Sequence, residues 1–159
     1  MTARKRTADL WINEAIATGD IERIVKNMAA AGERINDARR HLKSARLLAK
    51  SDVTLAITAC HDAIRKAITA HMTANGYRPR NGNGAHRIVL QYARSQLDAV
   101  ITAADIDRAD ALRRDRATAE YGDFAASKLG ASDVAEATLV GDRIVNAVAS
   151  LLAKSSRPP

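Results

Sequence analysis

Residues 21–49 read IERIVKNMAAAGERINDARRHLKSARLLA, and a small or apolar side chain returns every third or fourth position: Ile21, Ile24, Met28, Ala31, Ile35, Ala38, Leu42, Ala45 and Ala49. Positions so spaced share one face of an α-helix, whereas a half-buried strand alternates with period two. The spacing predicts one long amphipathic helix, or two in series with a break at Gly32. Arg39, Arg40, Lys43, Arg46 and Lys50 decorate its other faces.

The same pattern extends outward in both directions. Residues 7–18 read as a short helical segment ending at Thr18-Gly19-Asp20, so residues 7–32 are expected to form an N-terminal helical extension. Ser51-Asp52 is a capping signal for a helix with Val53, Ile57, Cys60, Ile64, Ala67 and His71 on its stripe, stopped by Asn75-Gly76. Tyr77 to Gly84, YRPRNGNG, is the clear loop, with a proline and two Asn-Gly pairs. A helix is expected from about Ala85 to Val100, packing through Val89, Tyr92, Ala93 and Leu97. Another is expected from about Ala104 to Tyr121 with Ile106, Ala109 and Leu112 inward, closed by Gly122. The last opens at Ser132 and carries Val134, Ala137, Gly141, Ile144, Val148 and Leu151, leaving residues 154–159, KSSRPP, as a disordered polar tail. No segment alternates long enough to predict a strand. The expected architecture is a single all-α domain, an antiparallel four-helix-type bundle over residues 33–153 with a short helical N-terminal extension.

Composition agrees with long, closely packed helices. Of 159 residues 47% are apolar but only 3% aromatic, so the apolar mass is Ala, Ile, Leu and Val, and the three prolines leave few breaks. The single Cys60 excludes an intramolecular disulfide and a multi-cysteine metal site. No apolar run reaches the roughly 18 residues of a membrane span, and the basic start MTARKRTADLW has no apolar signal core. A cytoplasmic protein is expected. Net charge is +7, and it is concentrated early: residues 1–50 carry 11 Lys/Arg against 6 Asp/Glu, and residues 51–102 carry 6 against 3. Residues 103–159 carry 8 against 9. That excess suits phosphate-bearing partners and equally suits plain solubility.

The histidines divide by context. His41 sits among arginines as a surface residue, while His61 and His71 fall on a buried-looking helix and read as core residues rather than ligands. His86 follows a glycine loop at an expected helix N-terminus, where free N–H groups and the helix dipole favour an anion. No two histidines have metal-ligand spacing, and neither a metal nor a cofactor is implied. Arg78 and Arg80, flanked by loop glycines, fit either a phosphate cradle or an exposed connector; the Lys-Ser/Thr ending of a P-loop is missing.

The stretch 112–124, LRRDRATAEYGDF, puts Arg116 on the face shared by Leu112 and Ala119. A guanidinium there needs a carboxylate, a cleft or a subunit interface, since burying it alone is costly. An i, i+4 pair with Glu120 is the simplest alternative, worth only a few tenths of a kcal/mol.

From this stretch the chain resembles the HEPN family (higher eukaryote and prokaryote nucleotide-binding domains), over roughly residues 33–153. The resemblance rests on ERINDARRHLKSARLLAKSD, on TACHDAIRKAITAHMTANGYRP, on Gly84-Ala85-His86 opening the next helix, and on LRRDRATAEYGDF, in that order. It implies a dimeric helix bundle using residues 104–121 and 132–153 as the interface. Many members are metal-independent ribonucleases of toxin–antitoxin or defence systems, often paired with a small nucleotidyltransferase. Their site is an arginine, usually followed by a polar residue, with a histidine four to six residues on. Arg116 matches the arginine; Ala117 departs from the polar neighbour, and Tyr121 stands where the histidine belongs. A tyrosine with an ordinary pKa near 10 is a poor base at neutral pH. The resemblance therefore implies a scaffold that binds RNA, nucleotide or a partner protein without efficient cleavage. Its phosphate-binding residues would be Arg113, Arg116, Arg78, Arg80 and His86. Two alternatives stand: an active endoribonuclease whose base is Tyr121, Glu120, Asp123 or His86, and a non-enzymatic protein-interaction module.

Overall fold

The computed structural model describes residues 3–80, 84–121 and 129–155, with side chains described for residues 5–80, 84–114 and 129–155. Among them six helices and two short strands follow in the order α1 (Ala3–Ala17), β1 (Ile21–Arg23), α2 (Met28–Leu48), α3 (Val53–Asn75), β2 (Tyr77–Pro79), α4 (Ala85–Gln96), α5 (Ala103–Tyr121) and α6 (Ala131–Ser155). The protein is an all-α helix bundle, as its periodicity predicts.

Helix α3 occupies the centre, packed against α2, α4, α5 and α6. It can be buried on most sides because its inward positions are small: Ala56, Ala59, Cys60, Ala63, Ala67, Ala70 and Ala74 are all buried. Isoleucines fill the remaining space, with Ile57, Ile64 and Ile68 nearly inaccessible. The expected stripe of α2 is buried from Ala31 through Ile35, Ala38 and Leu42 to Ala45. Cross-helix ion pairs reveal antiparallel neighbours. Asp37 meets Lys66 between α2 and α3, Arg94 meets Asp107 between α4 and α5, and Asp105 and Arg108 meet Arg143 and Glu136 between α5 and α6.

Side-chain caps set several helix starts. Asn27 Oδ1 accepts from the Ala30 N–H at 2.8 Å, and Asp52 Oδ1 accepts from the Leu55 N–H at 2.9 Å. Thr102 Oγ1 accepts from the Asp105 N–H at 3.1 Å and hydrogen-bonds its carboxylate at 3.0 Å. Such caps typically contribute about 1 kcal/mol each.

Four expectations require correction. Ile21 and Ile24 are not on the α2 stripe: the chain there is extended, and β1 pairs antiparallel with β2 in the register Ile21↔Pro79, Glu22↔Arg78 and Arg23↔Tyr77. Three residues are too few to display alternation, and the first half of the expected loop YRPRNGNG is its partner strand. Gly32 does not interrupt α2, since it lies exposed with open space around it, so its cost of about 1 kcal/mol is outweighed by the stripe's packing. Helix α4 also ends at Gln96 rather than Val100, because buried Leu97 and Ile101 turn the chain inward through bonds from Val100 N and Ile101 N to Leu97 O. Gly76 is where the small sheet is tied to α3. Its φ of +84° ends the helix, its N–H bonds back to Met72 and Thr73, and a Cβ would come within 3.0 Å of Ile24 O.

Candidate phosphate-binding site

Helix α4 begins at Ala85 behind its N-cap Gly84, whose φ is +104°, and no described side chain caps it. Its first turn is Ala85-His86-Arg87 without an acidic residue, so the dipole's positive end stays uncompensated there. From that end Arg87, Gln91 and Arg94 follow at i, i+4 and i+7, which sets them on one face. The antiparallel α5 brings Asp110 and Arg113 opposite, and a pocket of about 220 Å3 opens among them, with Leu90 as its apolar wall.

Among the described residues the pocket is unbalanced in charge: Arg87, Arg94 and Arg113 line it against the carboxylate of Asp110. That carboxylate is shared, accepting from Arg113 Nε at 2.9 Å and from Arg114 Nη1 at 2.7 Å. Arg94 reaches out to Asp107 across the helix pair. Arg87 has no carboxylate partner among the described residues. Guanidinium groups in this arrangement suit the bidentate geometry of a phosphate, and Arg87 and Arg94 are exposed and so reachable from solvent.

At the start of α4, one residue before Arg87, the fold brings two histidines together. The exposed His86 ring stacks on the buried His61 ring, with centroids 5.1 Å apart and planes 17° apart. His61 Nδ1 is buried and makes no hydrogen bond; the nearest carboxylate, Asp62, is 3.7 Å away. His71 is separate. Its Nδ1 lies 2.8 Å from the Tyr92 hydroxyl, and burial lowers its pKa to about 4, so it is neutral in the fold. His41 is half-buried on α2.

The other residues singled out by sequence are dispersed. Arg78 on β2 is ion-paired with Glu22 of β1. The Arg80 side chain lies beside Gly19, and its backbone N–H donates to Asp20 O. Arg116 and Tyr121 lie on the backbone of α5, but their side chains, like those of Ala117 and Glu120, are outside the described residues, and Asp123 and Gly122 are wholly outside them. The structure brings Arg113 into a pocket with Arg87 and Arg94, two residues that sequence reading missed. Their i, i+7 spacing was visible, but α4 is read first by its apolar positions.

The family comparison matches this arrangement of helices. The HEPN domain model matches residues 31–151. The chain belongs to the HEPN domain family. Domains of this family are generally nucleotide-binding or ribonuclease-like, and many form dimers. No curated protein and no solved structure matches the chain. The matched stretch includes α4, α5 and every residue of the arginine pocket, and it leaves α1 and β1 outside. Among the described residues no helix is long and apolar enough to cross a membrane.

Proposed function

We propose that this HEPN protein binds the phosphates of RNA or nucleotides at the α4–α5 pocket, as a two-fold dimer in a toxin–antitoxin or defence setting, without efficient cleavage. The observation that carries this reading is the cluster of Arg87, Arg94 and Arg113 around one shared carboxylate, beside the uncapped start of α4. On the family pattern Arg116 would be a further phosphate contact, and in sequence it lies three residues beyond Arg113. The missing histidine at Tyr121 supports binding over cutting. The dimer rests on the family's habit, with the helices that contain residues 104–121 and 132–153 as its interface, and the exposed Leu139 of α6 is available to it.

Anisotropy of a labelled single-stranded RNA tests the reading. Three phosphate contacts predict a salt slope of about −2, hence a roughly 20-fold weakening between 50 and 200 mM salt. Replacing Arg87 and Arg113 together with alanine removes two of those contacts and flattens the slope by about 1.4. Salt-independent binding, or a double variant that binds as wild type, sinks the proposal. Light scattering in the same buffer tests the dimer.

A second reading is favoured by the His61–His86 stack. An exposed imidazole one residue before Arg87 is positioned for proton transfer. On this reading the protein cleaves RNA in the presence of a metal chelator, and His86→Ala abolishes cleavage while leaving RNA affinity intact.

A further inference from the structure

Helix α1 lies outside the stretch matched by the family model, yet it is fastened to α4, where Gln96 Nε2 donates to Ala8 O at 2.8 Å. Between the two helices lies a pocket of about 440 Å3, larger than the arginine pocket. One wall is Trp11, the single tryptophan of the chain. Its ring is half-buried and held edge-on against Tyr92, with centroids 6.3 Å apart at 68°, and Tyr92 is in turn held by His71. The indole is therefore a braced aromatic surface. Facing it are Gln91, Arg94 and Ser95 of α4 and Asp98 in the turn just after it.

These groups do not suit a purely apolar ligand. An amide that both donates and accepts, a carboxylate that accepts and a hydroxyl surround one flat aromatic wall. A planar heterocycle with donors and acceptors along its edge satisfies all of them at once: it stacks on the indole while its edge is hydrogen-bonded. Position supplies the second half of the case. Gln91 and Arg94 line this pocket and the arginine pocket alike, so the two are neighbours along α4. A ligand whose planar ring lies on Trp11 carries its substituents past Arg94 toward Arg87 and Arg113. That is the layout of a nucleotide.

We infer that the α1–α4 pocket is a nucleobase subsite. The base lies against Trp11, Gln91 and Asp98 hydrogen-bond its edge, and its phosphate occupies the arginine pocket. This rests on the phosphate-binding reading above and adds a site built from an element the family model does not include. The nucleotide unit is either free or one residue of an RNA strand.

Because Trp11 is the single tryptophan, its emission reports the pocket directly. The full chain is titrated with adenosine monophosphate, with a single-stranded oligoadenylate and with inorganic phosphate, and RNA binding is followed in parallel by anisotropy of a labelled strand. Quenching by both adenine probes and not by phosphate is expected. Quenching by the oligonucleotide alone assigns the subsite to an RNA strand, and comparable affinity for the monophosphate assigns it to a free nucleotide. Gln91→Ala and Asp98→Ala keep the fluorophore and should weaken binding severalfold, Gln91→Ala at unchanged melting temperature. Trp11→Ala should weaken strand binding by roughly tenfold or more, and Trp11→Phe, which keeps an aromatic face against Tyr92, should restore much of it. Salt-dependent strand binding without quenching, and unaffected by Gln91→Ala and Asp98→Ala, overturns the subsite and leaves the phosphate reading standing. No strand binding at all overturns both.

Discussion

Acidification isolates the contribution of one side chain, His71. Burial on α3 lowers its pKa to about 4 from the usual 6.5, so between those values the unfolded chain takes up a proton that the folded chain refuses. The unfolded state then binds more protons, and stability must fall as pH decreases from 6.5 toward 4; above 6.5 the contribution is fully present. With these two values the loss is at most about 0.8 kcal/mol at pH 6 and about 2 kcal/mol at pH 5, relative to pH 7.5. Two carboxylates held below their usual value of 3.8 do not enter this window. Asp37 is lowered mainly by its hydrogen bond from Lys66 and Asp105 by its hydrogen bond from Arg143, and what each contributes is lost only as pH falls below 3.8. Urea unfolding followed by circular dichroism at pH 7.5, 6 and 5 gives the wild-type slope. In His71→Gln an amide replaces the imidazole toward the Tyr92 hydroxyl but cannot titrate, and the other three histidines are common to both chains. The wild type should lose up to about 2 kcal/mol more than His71→Gln between pH 7.5 and 5. Parallel stability curves for the two proteins would refute the reasoning, whatever their offset.

Gly141→Ala should destabilise the fold by roughly 1–2 kcal/mol in thermal or urea unfolding, because its Cβ would come within 2.6 Å of Leu42 Cδ2 in a packed core, outweighing the usual helix gain of about 1 kcal/mol. Unchanged or raised stability would mean that Leu42 has room to turn. Cys60 is fully buried and its thiol is pushed up to about 12, so a thiol reagent at pH 8 should modify it only on unfolding; rapid modification of the native protein would contradict its packing. Tyr121→His rebuilds the family's arginine–histidine spacing, and metal-independent RNA cleavage should rise by about 100-fold or more. No rise at preserved stability would count against Tyr121 occupying the base position.

Short-range regularities were legible in the chain itself. The stripe from Ala31 to Ala45, the Asp52 cap, the Gly76 stop and the inward Ile106, Ala109 and Leu112 are all set by residue spacing within a few helical turns, and the structure buries or caps each of them. The family, too, could be recognised in the sequence, from the resemblance of such segments taken in their order. What the sequence could not show depends on which distant surfaces meet. Ile21 reads as helical by its period, and only the approach of Tyr77–Pro79 supplies the hydrogen-bond partners that hold it in a strand. Arg87 and Arg94 read as the solvated face of α4 until the antiparallel α5 sets Arg113 and Asp110 across from them. His61 and His86 stand 25 positions apart, and no spacing rule joins them; the crossing of α3 and α4 stacks their rings. Periodicity is a property of one element and is written locally, whereas a site made of side chains from several elements exists only once their packing has fixed the faces that look at each other.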